Sequence, residues 1–385
     1  MIPYGRQNIT QADIDSVIQI LKSDFITQGP TIDQFEKTVS EYCGSQYALA
    51  VSNATAALHI ACLALEVGAG DEVWTSPNTF VASANCALYC GAKIGFVDID
   101  PKTYNMDVDK LRLKLIEAKN KNRLPKVVIP VHFAGQSCDM EEISELSKQY
   151  GFKIIEDASH AIGGKYLGKS IGNCKYSDIA VFSFHPVKII TTGEGGMLTT
   201  NSKHLHEKLA LLRSHGISRD PDLMVSESEG GWYYQQLELG FNYRMTDIQA
   251  ALGISQFARL ERFIEKRRNI AENYDKLLSG LPVIIPYRNP KVNSALHLYP
   301  IRLSKDAKIG RKQFFDELRK SGIGVQVHYI PVHLQPYYQK LGFKLGDFPE
   351  AEEYYESVVS LPIYYDLTHE QQLYVVNTIR SLLQK

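Results

Sequence analysis

Six short apolar runs in the first 200 residues, at 48–51, 72–75, 94–97, 127–131, 153–155 and 179–182, dictate most of what this chain can become. Stretches with helical spacing, at 54–65, 83–90 and 140–150, fall between them. Strands buried on both faces and separated by helices predict an α/β fold built on a mainly parallel sheet with helices on either side. In such sheets ligands sit beyond the carboxyl ends of the strands, so those ends are the places to look for chemistry.

The pattern changes near residue 250. A long helical stretch over roughly 246–278 leads into a smaller α+β region, with strands expected at 298–303 and 324–328, a helix at 310–321 and a closing helix from Thr368. A chain of 385 residues is too long for one small domain. The expected division is a large domain over 1–250 and a smaller C-terminal domain over 251–385. A formal net charge of −1 provides no bulk field to recruit nucleic acid or an anionic membrane. No apolar run approaches the roughly 18 residues of a membrane span, and the opening residues lack the pattern of a signal peptide. The six cysteines are scattered, without the paired spacing of a zinc site. Reduced thiols, a cytoplasmic location and no bound metal are the expectation.

Four strand ends carry chemistry-bearing residues. At the first, Ser52-Asn53-Ala54-Thr55-Ala56-Ala57 opens a helix. Its free backbone N–H groups would cradle a phosphate, or the segment is an ordinary helix cap. At the second, Glu156-Asp157-Ala158-Ser159-His160 follows an apolar run; Asp157 is either a solvated strand end or the partner of a protonated ring nitrogen. The third holds Ser183 and Lys188, then Gly193-Glu194-Gly195-Gly196. Between Lys175 and Glu194 the only other charged residue is Asp178. A lysine in such surroundings tends to lose its proton and become the nucleophile that Schiff-base chemistry needs; the alternative is a lysine reaching from a strand end to solvent. The fourth, Asn242-Tyr243-Arg244-Met245-Thr246, is a loop entering a helix that Thr246 would cap. A phosphate cradle, an acid and a lysine at successive strand ends match the phosphate, ring nitrogen and aldehyde of one cofactor, pyridoxal 5′-phosphate.

With these motifs the chain resembles the DegT/DnrJ/EryC1/StrS sugar aminotransferases of the aspartate-aminotransferase-like superfamily, the fold type I pyridoxal-phosphate transferases. The densest matches are Thr27-Gln28-Gly29-Pro30, 52–58, 156–160, 182–196 and 242–252. The resemblance implies that Lys188 carries the cofactor and that Asp157 binds its ring nitrogen. Ser183, Thr55 and Ala56 would hold the phosphate. Asn242 would reach the phosphate of the other subunit of a homodimer with shared sites. Phe80 matches the aromatic that stacks on the ring, or is a core phenylalanine. His160, which follows the Asp-Ala-Ser-His pattern of one subset where many members have Gln, is implied to be a further cofactor-binding residue.

Within the family, Tyr4-Gly5-Arg6-Gln7, 184–192, 213–217 and 325–331 are similar to the branch that aminates C4 of a UDP-linked 4-keto-6-deoxy-N-acetyl-L-hexose on the way to pseudaminic acid. That likeness implies L-glutamate as donor, pyridoxamine 5′-phosphate between the two half-reactions, and sugar-nucleotide contacts from Tyr4, Asp24, Phe25, Ile26, Thr27, Ala54, Ser183, Asn242, Gln326, Val327, His328 and Tyr329. Arg244 would hold the donor carboxylate, or is a surface arginine. Three other readings stay open: an aminotransferase for a UDP-4-keto-pentose or a GDP-linked sugar; a 3-dehydratase of the same family, which has His in place of the lysine; and a non-catalytic member that kept the fold.

Overall fold

The computed structural model describes residues 1–384. Its main sheet has seven strands: β1 (Tyr47–Val51), β2 (Glu72–Thr75), β3 (Lys93–Phe96), β4 (Val127–Ile129), β5 (Lys153–Asp157), β6 (Ile179–Ser183) and β7 (Gly196–Thr200). The spatial order is β1-β7-β6-β5-β4-β2-β3. Neighbours from β6 to β3 pair in parallel, whereas β7 runs antiparallel to both β6 and β1. The strand–helix alternation did not reveal β7, because no helix separates it from β6. The loop between these two antiparallel neighbours is the segment that carries Lys188.

Side chains alternate across the sheet as a two-residue period demands. Leu49 and Val51 of β1 pack on one face, with helices α3 (Ala54–Ala64), α4 (Ala82–Tyr89) and α7 (Lys203–Arg213). Ala48 and Ala50 pack on the other, with Phe35 and Val39 of α2 (Pro30–Cys43). Phe182 and Phe184 are wholly buried in that second layer. Burial at roughly 1.5–3 kcal/mol each anchors the end of β6, and Ser183 between them is left on the opposite face. Helices α5 (Val108–Asn120) and α6 (Met140–Tyr150) close a third cluster around Trp74.

The long helical stretch is two helices, α8 (Asp247–Phe257) and α9 (Leu260–Leu277). Thr246 caps α8, forming a capping box with Gln249. The buried Asp247 accepts from the backbone N–H of Gly29 at 2.7 Å and of Thr31 at 3.0 Å. That explains the Thr-Gln-Gly-Pro motif: a Cβ at Gly29 would lie 2.5 Å from the Cβ of Phe25 and 2.9 Å from the Asp247 carboxylate. Helix α1 (Gln11–Leu21) packs on α8 as well.

The C-terminal region has an antiparallel sheet of β8 (Val283–Ile284), β9 (Tyr299–Leu303) and β10 (Val358–Leu361). Helices α10 (Arg311–Lys320) and α13 (His369–Leu383) cover it, and α11 (Pro336–Gln339) and α12 (Pro349–Ser357) lie between them in the sequence. The strand expected at 324–328 is instead extended backbone with only two isolated bridges beside it, Ile2 with Ile323 and Gln326 with Ser360. Its backbone groups are divided between two neighbours: Gly324 N–H donates to Ile2 O at 2.6 Å, and Gln326 and Ser360 exchange bonds at 3.3 and 2.8 Å. Helix α9 buries Leu260, Phe263 and Ile264 in the large core and Ile270, Ala271 and Tyr274 in the C-terminal core. We propose that the division between the two units falls along this helix.

Candidate active site

Four adjacent strands, β1, β7, β6 and β5, bring the distant motifs to one edge of the sheet. There they open on a cavity of about 920 Å³. Beyond β1, Asn53 caps α3 by accepting from Ala56 N–H at 2.8 Å, and Ala54, Thr55 and Ala56 line the wall. The first turn of α3 consists of small residues with no acidic group, so the positive start of a helix lies at the cavity wall, a place suited to an anion. A Cβ on Gly196, where β7 starts, would lie 2.6 Å from Asn53 backbone carbon. Only glycine allows β7 to pass this close behind the cradle.

Asp157 ends β5 and is buried. Its carboxylate accepts from the Ser83 hydroxyl at 2.5 Å and from Ser159 N–H at 3.1 Å. Ser183 ends β6, and Lys188 follows on the β6–β7 loop. Lys188 keeps part of its surface on the cavity, yet burial pushes its ammonium down to about 8, with the Asp157 carboxylate opposing the shift. His160 is buried, and its Nε2 lies 3.0 Å from the Tyr329 hydroxyl. Burial, with Lys188 and His328 alongside, holds its imidazole well below the usual histidine range. Burial, then Lys188, pushes His328 down to about 3. Phe80 is 59% exposed beside the cavity, so it is no core phenylalanine; its ring centroid lies 6.4 Å from that of Tyr329.

The expected residues separate into two groups. Tyr4, Ala54, Thr55, Ala56, Phe80, Asp157, His160, Ser183, Lys188, His328 and Tyr329 line the cavity. Asp24, Phe25, Ile26, Thr27, Asn242, Arg244, Gln326 and Val327 do not. Most of this second group gathers around the start of α8: Thr27 bridges to Thr246, and Asp247 N–H donates to Ile26 O at 3.1 Å. Asp24 to Thr27 and Asn242 are exposed there, and Arg244 is half-buried. The wall also contains Ser83 and His297, which sequence reasoning did not single out, and Glu194 and Tyr243, which it placed in motifs without giving them a role. Ser83 lies 74 positions from the Asp157 it hydrogen-bonds, and no local pattern marks such a pair.

A cradle for an anion, a buried fixed carboxylate and a lysine made a better nucleophile by burial, at one sheet edge, define a pyridoxal-phosphate-dependent transferase of fold type I. The chain belongs to the DegT/DnrJ/EryC1/StrS aminotransferase family, whose profile matches residues 7–380. It is 40% identical to the UDP-4-amino-4,6-dideoxy-N-acetyl-beta-L-altrosamine transaminase of Campylobacter jejuni subsp. jejuni strain 81-176, over 100% of this chain and 98% of that protein. It is 43% identical, with the same coverage, to an uncharacterised protein of Methanocaldococcus jannaschii. Among solved structures, Helicobacter pylori PseC, an aminotransferase involved in pseudaminic acid biosynthesis, superposes with a TM-score of 0.91 at 31% identity and covers 100% of this chain and 99% of its own. Streptococcus pneumoniae Spr1654, solved in a pyridoxal-phosphate form, superposes at 0.90 with 31% identity, covering 100% of this chain and 98% of its own.

Proposed function

We propose that this aminotransferase moves the amino group of L-glutamate to C4 of a UDP-linked 4-keto-6-deoxy-N-acetyl-L-hexose, giving UDP-4-amino-4,6-dideoxy-N-acetyl-β-L-altrosamine. The observation that carries the chemistry is Lys188, isolated in sequence and held by burial near a pKa of about 8, beside the buried Asp157. Lys188 also argues against the 3-dehydratase and the non-catalytic readings. The sugar rests on likeness to the Campylobacter transaminase.

The residues present fit the cofactor. The start of α3 with Thr55, Ala56 and Ser183 would hold its phosphate, Asp157 would hold its ring nitrogen and Lys188 its aldehyde carbon, and Phe80 would offer a ring face. When bound, the cofactor supplies a carbonyl that receives the amino group and a ring that spreads the charge left by proton removal. Asp157, fixed by Ser83 and Ser159, would keep the proton on the ring nitrogen. Lys188, neutral in a large fraction of molecules near pH 8, takes the proton from the donor's α-carbon and later returns one to C4 of the sugar. Tyr4 and His328, which line the same cavity, would contact the sugar.

The outer group is what we assign to a symmetric dimer. Asn242 and Arg244, outside their own cavity, would enter the partner's, the former at the phosphate and the latter at the donor carboxylate. Phe25 and Ile26, more than half exposed beside them, supply apolar surface for such an interface. The test of the substrate is to supply the UDP-linked 4-keto sugar with glutamate and identify the product by NMR. A strong preference for a GDP-linked ketone or a UDP-4-keto-pentose, or amination at C3, would overturn the assignment.

A further inference from the structure

His160 and His297 pack ring to ring, with centroids 4.5 Å apart, and each buries an Nδ1 that has no hydrogen-bond partner. A buried N–H without an acceptor costs more than a bare lone pair, and orphaned N–H groups are the rarer of the two. The neutral His160 ring therefore carries its proton on Nε2. That nitrogen lies 3.0 Å from the Tyr329 hydroxyl, so it donates to the tyrosine oxygen. The tyrosine's own proton is then free to point onward, and Tyr329 lines the cavity. Its position is held on several sides. Its backbone N–H donates to Asn78 Oδ1 at 3.3 Å, and its ring meets Phe133 edge-on at 6.2 Å and stacks on His160 at 6.1 Å. Burial, then the nearby Asp157 charge, raises the phenol well above its ordinary range and keeps it protonated.

We propose that Tyr329 is a catalytic residue, donating a hydrogen bond to the oxygen of the keto group that is exchanged for an amine, and that His160 is the positioning residue that aims it. This deepens the aminotransferase reading and rests on it. When a carbonyl is exchanged for an amine, negative charge grows on its oxygen, and a donor already fixed in a water-poor wall stabilises that charge without reorganising. The same donor serves the keto acid in the donor half-reaction, since both ketones react at the same place.

The experiment follows the two half-reactions separately, by the absorbance change of the loaded enzyme on adding glutamate, and the reverse change on adding 2-oxoglutarate or the keto sugar. Tyr329→Phe keeps the ring, so cofactor affinity should stay at the wild-type value, while the apoprotein should melt somewhat lower because the buried His160 N–H loses its acceptor. Both half-reaction rates should fall, by about 10²-fold for one lost donor of this kind. His160→Phe removes the donor that aims the hydroxyl and should slow the same steps. The double variant should be little slower than Tyr329→Phe alone, because the two act as one unit. His160→Gln, whose amide can donate to Tyr329, should recover part of the rate. Wild-type half-reaction rates in Tyr329→Phe overturn the proposal, and so do fully multiplicative losses in the double variant. Failure of the keto sugar alone, with glutamate and 2-oxoglutarate still exchanging, refutes the sugar assignment and leaves the tyrosine test intact.

Discussion

The cavity wall and the outer face around the start of α8 make an instructive pair. Both hold polar residues that the family likeness marks as functional, but the chain treats them differently. In the wall, Asp157 has two donors within 3.1 Å and His160 is joined to Tyr329. On the outer face, Asn242 and the residues from Asp24 to Thr27 stand exposed, and only their backbone is tied down. Residues used within one chain are fixed by that chain, because a misplaced catalytic group loses its geometry. Under the proposed dimer, residues that serve a second copy need only a rigid base, which the Thr246 cap and the Asp247 bonds to Gly29 and Thr31 would provide.

The comparison breaks most visibly at Lys188. Lys188→Ala should abolish turnover, and borohydride should fix the cofactor to Lys188 in the wild type; a labelled peptide centred on any other lysine contradicts the assignment. Next in size is Asp157→Asn, which keeps the shape and removes the charge. A loss of roughly 10²-fold or more in rate is expected, and near wild-type kcat/KM would remove Asp157 from the ring nitrogen.

A smaller effect tests the outer face. Lys188→Ala and an inactive Asn242 variant, refolded together, should form hybrid dimers with one intact site and so about half the activity of a wild-type dimer. Hybrids confirmed by mass that stay inactive would show that Asn242 serves its own chain, and a monomer in solution would refute the shared site.

The last effect is the subtlest. The Lys188 pKa is about 8 in the fold against 10.5 for an ordinary lysine, so between those values the unfolded chain binds one more proton than the folded one. Stability then rises with pH across that window, and the penalty of burying the ammonium is greatest below about 8. The melting temperature of the apoprotein should therefore gain a contribution on going from pH 8 to 10 that Lys188→Met lacks, measured by calorimetry on both proteins. The same slope in both would mean that another group titrates.

Much of the large unit was legible because its signals are local. Apolar runs with turns after them show as strands whatever their neighbours, and a small-residue helix start beside a strand shows as a cradle. The charge-poor segment around Lys188 could be read as buried for the same reason. β7 and the break between α8 and α9 were not legible, since one depends on pairing with β1 and β6 and the other on how both helices pack in the large core before α9 continues into the C-terminal core. Nothing in the stretch 324–328 shows that Gly324 bonds to Ile2 and Gln326 to Ser360, both distant along the chain.

The sequence by itself determined the class of chemistry, since an acid and a lysine at strand ends and a small-residue cradle are properties of short segments with their own hydrogen-bonding and burial preferences. Only the tertiary structure decided the partners of each group: Ser83 on Asp157, Tyr329 on His160, His297 against His160, and the separation of the wall from the outer face. Those pairings join residues between 74 and 169 positions apart where the two hydrogen-bonded pairs are concerned. Over such distances no chain-local preference acts, and the packing of the sheet on its helices brings the atoms together.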